Sequence, residues 1–110
     1  MQNTAVIADW KTGKVREDET QLFICAALAL VNFDVIGSVA GLYIWLRNGA
    51  PGQAYSWGRG ALSSMLARVV SLTDPIEKAV AEDRFPARPS ALCRWCAVAE
   101  CKERRHAYAP

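Results

Sequence analysis

Asp9 and Lys11 stand two positions apart in the run IADWKTGK, from Ile7 to Lys14. Thr4 to Trp10 (TAVIADW) is short, β-rich and bounded by the turn residues Thr12 and Gly13, so it is expected to form a strand. Side chains alternate along a strand, which puts Asp9 and Lys11 on one face at its end. A carboxylate and an ammonium placed together there can share a task. The carboxylate binds a hard divalent cation, and the lysine holds or activates an attacking water. By itself the Asp-x-Lys pair says little, because many such pairs are exposed strand ends joined by a marginal salt bridge.

A second group is Cys93-x2-Cys96-x4-Cys101-x4-His106. Three of the four cysteines fall within nine residues, in a chain with no export features, so metal ligation is expected over disulfide formation. With His106 the set reads as Cys₃His, a closed tetrahedral zinc site. The four tryptophans divide. Trp10 and Trp95 lie beside these groups and are candidates for stacking on bases, whereas Trp45 and Trp57 read as core or hairpin residues.

The elements that must position these residues follow from pattern. After the first strand comes KVREDE, in which Asp18 and Gln21, three apart, resemble a helix-capping box. From Gln21 to Phe33 the chain is apolar on nearly every face, predicting a buried helix. Val39 to Leu46 is β-branched and aromatic, and the turn cluster Asn48 to Gly52 leads to a second run, Gln53 to Trp57, predicting a hairpin. Leu62, Met65, Leu66, Val69, Val70, Ile76 and Val80 recur at helical spacing. Pro75 is expected to kink or restart that helix after Asp74. RFPARPS reads as a loop, with Ser90 capping a last short helix that leads into the cysteines.

A chain of 110 residues, 52% of them hydrophobic and 22% charged, is globular in composition and long enough for one domain. The net charge of +2 is unevenly spread. From Arg84 onward six basic residues oppose Glu100 and Glu103, giving +4 and leaving −2 for the rest. A basic end suits a polyanion such as DNA, although a solvated surface also produces such runs. The segment MQNTAVIADWK has polar residues where a secretory signal needs an apolar core, and the cytoplasm is the expected compartment. Leu22 to Leu46 is broken by Asn32, Asp34, Gly37 and Gly41, and neither half reaches the ~18 apolar residues that span a bilayer. No membrane association is expected.

In order, these motifs resemble the PD-(D/E)XK nucleases of the RecB-like, exonuclease branch, including the CRISPR-associated type with a C-terminal cysteine cluster. Those read as an apolar strand ending in Asp/Glu-x-Lys with Thr-Gly after it, then a helix opening Gln-x-x-x-Tyr. Here VIADWKTG precedes QLFICAALAL, and the chain closes with FPARPSALCRWCAVAEC. The resemblance covers Val6 to about Lys102. It implies an α/β, restriction-endonuclease-like core, with residues 1–84 its later part and residues 85–110 a cysteine-rich tail within one continuous domain. It further implies hydrolysis of DNA with Mg²⁺ or Mn²⁺. Asp9 would be the metal-binding carboxylate, with the Trp10 carbonyl as a further ligand, Lys11 the catalytic lysine and Gln21 the residue of the helix motif. Cys93, Cys96 and Cys101 would be three ligands of a [4Fe–4S] cluster, with zinc and His106 as the alternative.

Two departures stand out. The Tyr of the helix motif is Cys25 here. The family's other metal-binding Asp lies on a preceding strand, and only eight residues precede Asp9. The chain is therefore expected to be the later part of a longer domain, with a further chain or segment supplying the rest of the site. A second reading of the same residues is a non-catalytic, metal-stabilised module that holds DNA or a protein partner.

Overall fold

The computed structural model describes residues 3–104. Its elements follow one another as β1 (Asn3–Lys11), α1 (Thr20–Asn32), β2 (Ile36–Trp45), β3 (Ala50–Gly58) and α2 (Leu62–Ala81), with 3₁₀ turns at Arg59–Ala61 and Ala91–Trp95. Two compact units divide the chain, Met1–Asp74 and Pro75–Pro110.

In the first unit the sheet order is β1-β2-β3. β1 and β2 run parallel, as a strand–helix–strand crossover through α1 allows, and β2 and β3 form the expected antiparallel hairpin. The hairpin turns at Gly49, whose φ of 63° lies in the left-handed region that glycine enters without strain. β3 begins at Ala50, ahead of the expected Gln53, because Ala50 and Pro51 already pair with Trp45 and Ile44. β2 likewise starts at Ile36, three residues before the expected Val39.

One face of the sheet carries the core. Along β2 every second residue is buried, from Gly37 to Trp45. Phe23, Ala26, Ala27 and Leu30 of α1 pack with Val39 and Met65, while Leu22 joins Tyr43 and Trp45. Close approach depends on small residues. A Cβ on Gly41 would lie 3.1 Å from the Trp57 ring and 3.3 Å from Leu22 Cβ, so α1 rests almost directly on the backbone of β2. Arg59 fixes the other end of the helix. Its guanidinium donates from Nε to the Ile36 carbonyl (2.8 Å) and from Nη2 to the Phe33 carbonyl (2.6 Å).

Three local expectations are corrected. The capping box of Asp18 and Gln21 does not form. α1 opens on Glu19 without a side-chain cap, Asp18 Oδ1 accepts the Thr20 N–H (2.9 Å), and the Gln21 side chain is turned elsewhere. α2 continues unbroken through Pro75 rather than restarting. The proline removes the N–H that would bond the Ser71 carbonyl, but Ser71 is exposed and water can serve its oxygen. The helical stripe of α2 is also mostly uncovered, with only Met65 buried and Leu66, Val70, Ile76 and Val80 exposed.

Leu30 is fully enclosed, and the neighbouring Val31 is about half exposed. Leu30→Ala is expected to cost about 2–5 kcal/mol of stability in urea unfolding, from lost burial and the cavity left behind. Val31→Ala should stay within about 0.5 kcal/mol.

Candidate active site

Alternation along β1 sends Ala5, Ile7, Asp9 and Lys11 toward α1, leaving Val6 and Trp10 exposed on the opposite face. The strand and the helix therefore meet where β1 ends and α1 begins. Lys11 Nζ lies 2.8 Å from Asp9 Oδ2 and donates to Gln21 Oε1 at 2.6 Å. Asp9, Lys11 and Gln21, expected together from sequence, are together.

The pair has an unusual balance. Asp9 Oδ2 is sealed from solvent, and although Lys11 faces it as an ion pair, no directed hydrogen bond satisfies the oxygen. A buried carboxylate oxygen in this state is costly unless a cation sits against it. Lys11 is half-buried, and its Nζ lies 5.3 Å from the centroid of the Tyr43 ring. The side-chain contact with Asp9 raises its pKa above the ordinary 10.5, outweighing the opposing effect of burial. At neutral pH Lys11 is therefore an ammonium. It can donate hydrogen bonds and stabilise negative charge, but it has no free pair with which to take a proton.

Trp10 contributes through its backbone. The Lys11 carbonyl accepts the Leu46 N–H at 3.0 Å, on the β2 side. Carbonyls of adjacent residues in an extended chain point to opposite edges, so that of Trp10 turns to the outer edge of β1, which no described strand pairs.

The donors available to a hard divalent cation are thus the Asp9 carboxylate and the Trp10 carbonyl. They are the right kind, oxygen atoms with one of them buried and unsatisfied, but too few. Among the described residues no three Cys, His, Asp or Glu side chains gather as a ligand group. Mg²⁺ or Mn²⁺ needs oxygen ligands beyond these two.

Nor do Cys93, Cys96 and Cys101 come together as a ligand set among the described residues. The 3₁₀ turn Ala91–Trp95 explains one of them. Ser90 caps it as expected, and the Cys93 thiol completes the cap by accepting the Ser90 N–H at 3.3 Å. His106 lies outside the described residues. Cys25, at the position of the motif's tyrosine, is a half-buried free thiol on α1. Trp10 and Trp95 are exposed, and Trp45 is buried against Tyr43, as their positions in the sequence suggested.

Sequence reasoning did not find Tyr43. Its hydroxyl donates to the Asp18 carbonyl (2.7 Å) and ties the β1–α1 loop to the sheet beside Lys11. Burial raises its pKa, so it remains a phenol and a donor.

The structure thus sets a carboxylate and a lysine at one strand end of an α/β domain, braced by a glutamine from the next helix. The chain belongs to the PD-(D/E)XK nuclease superfamily, whose family model matches residues 1–101, and its mixed sheet and flanking helices are that fold. No curated protein and no solved structure matches the chain. No helix among the described residues is long and apolar enough to cross a membrane.

Asp18 provides a pH test of the loop. Its hydrogen bonds with Thr20 lower its pKa below the ordinary 3.8. Its stabilising contribution is therefore complete above the unfolded-state value and lost as pH falls through the lower, folded-state value. Asp18→Asn should melt below wild type at pH near 7, and the gap should close as the pH falls below the ordinary carboxyl range. A gap that persists in acid would contradict the assignment.

Proposed function

We propose that this chain carries part of the active site of a divalent-metal-dependent DNA nuclease of the exonuclease type. The observation that supports the reading is the convergence of Asp9, Lys11 and Gln21 around a buried carboxylate oxygen that lacks a hydrogen-bond partner.

Each residue has a distinct part. Asp9 and the Trp10 carbonyl are two of the oxygen ligands for Mg²⁺ or Mn²⁺, and the others come from a segment or chain beyond the described residues. When bound, the metal neutralises charge at the scissile phosphate. Lys11, as an ammonium, holds the attacking water by donating to it and stabilises the charge that builds on the phosphoryl oxygens. Gln21 restrains Lys11 from the helix side, so the ammonium keeps its direction when its contact with Asp9 loosens. Water adds its oxygen to phosphorus and gives up a proton to the surrounding solvent, the P–O bond to the leaving sugar oxygen breaks, and that oxygen takes up a proton from solvent.

The test is cleavage of end-labelled DNA with Mg²⁺ or Mn²⁺. Where the site is complete, Asp9→Ala and Lys11→Ala should each lower the rate at least about 100-fold while the thermal melt stays cooperative. Undiminished cutting by Lys11→Ala would remove Lys11 from the chemistry, and DNA binding without cutting where the site is complete would favour a binding module. The 110 residues alone should cut negligibly. Robust, Asp9-dependent turnover by them would mean that Glu17, Asp18 or a second copy completes the ligand set.

The cysteine segment enters the same reading as a metal-induced fold. Cys93, Cys96 and Cys101, with a thiolate from elsewhere, would be the residues that hold a [4Fe–4S] cluster, and the cluster would supply folding energy to the segment. Anaerobic reconstitution should give a broad visible absorbance with stoichiometric iron. Stoichiometric zinc instead, lost on His106→Ala, would assign a Cys₃His zinc site.

A further inference from the structure

Beside Lys11 lies a cavity of about 600 Å³. Gln21, Tyr43 and Trp45 line it together with Lys11, and the β1–α1 loop contributes Lys14 and Arg16. Tyr43 and Trp45 are buried, whereas Lys14 and Arg16 are exposed. We propose that this cavity is a phosphate-binding subsite, in which Lys14 and Arg16 hold the backbone of the DNA strand whose phosphodiester reaches Lys11. The proposal rests on the nuclease reading and adds to it where the strand runs and what grips it.

Charge is the first argument. The loop reads KVREDE, two cations and three acids, of which Glu17 and Glu19 do not line the cavity. Asp18 Oδ1 accepts the Thr20 N–H, and Glu19 pairs with Arg68 at 3.0 Å. Lys14 and Arg16 form no ion pair with any described residue, so with Lys11 three cations line the cavity. Asp18 is the one acid that lines it. Such a site attracts a polyanion and releases counterions when it binds.

Geometry is the second argument. Tyr43 Oη holds the Asp18 carbonyl and Gln21 holds Lys11, so both ends of the loop are fixed to the rigid sheet and helix. Three residues of extended chain span at most about 10 Å, which keeps Lys14 within a phosphate or two of whatever Lys11 touches. Lys14 and Arg16 are two apart, so in extended backbone they project to the same side. The cavity falls within the roughly 300–1,000 Å³ of small-molecule pockets, room enough for a phosphate and its sugar.

Fluorescence anisotropy with a labelled single-stranded oligothymidylate, in EDTA and over a range of salt, tests this without cleavage. Lys14→Ala/Arg16→Ala is expected to weaken binding at least about 10-fold at low salt. The slope of log affinity against log salt should shrink by about 1.4, the value for two phosphate contacts on a single strand. Lys14→Arg/Arg16→Lys should restore both, which separates lost charge from lost folding. Arg84→Ala/Arg88→Ala, in the other unit, should leave the affinity within about 2-fold of wild type. No binding by wild type, an unchanged slope in the double alanine variant, or an equal loss in the Arg84/Arg88 variant would each overturn the proposal. Because metal is absent, a protein that binds through Lys14 and Arg16 but never cuts would sink only the nuclease reading. Asp9-dependent cutting with an unaltered slope would sink only the subsite.

Discussion

Everything at the candidate site depends on how closely α1 can approach the sheet. Leu22 rests over Gly41, where a methyl group would crowd both Leu22 and the Trp57 ring. Ala26 and Ala27 continue that small surface along the helix, and Leu30 seats its far end. This packing carries the first turn of α1 to the end of β1, and only then can Gln21 reach Lys11 at 2.6 Å. A hydrogen bond between two exposed, flexible side chains would be worth little if each had to be ordered for it. Here the core has already ordered the backbones that bear them.

The electrostatics at that junction favour a fixed cation. Lys11 is attracted by Asp9, lies beside the Tyr43 ring and is tethered by Gln21, and all three interactions favour its charged form. Asp9 depends equally on Lys11, because its buried oxygen has no other positive neighbour among the described residues. The ammonium is the cation that faces the buried oxygen in this structure.

Much of this was legible in the sequence, for physical reasons that differ by element. Asp9 and Lys11 could be placed on one face because strand alternation is rigid, and Gln21 could be joined to them through motif order. The hairpin announced itself through Asn48 to Gly52. The Asp18–Gln21 capping box was misread because local spacing cannot reveal that Lys11, ten residues away, competes for the Gln21 side chain. Helical spacing marked the apolar stripe of α2 but could not show that most of it goes uncovered. For the cysteines, spacing gives reach and not a ligand set, and none gathers among the described residues. Lys14 and Arg16 were invisible as a pair because acids mask their charge in composition, and only their place in the cavity lining brings them out.

The outer edge of β1 has one more consequence. Its outward amides and carbonyls, that of Trp10 among them, are unpaired by any described strand, and Val6 and Trp10 stand exposed on the adjoining face. Such an edge accepts almost any extended segment. A strand that docks there is aligned by the ladder, so its side chains fall at fixed heights beside Asp9. Protection from unwanted pairing and delivery of new groups to the carboxylate would then be one event. Solubility and site assembly become coupled, and a partner strand of the wrong register would quench the edge while leaving the carboxylate unserved.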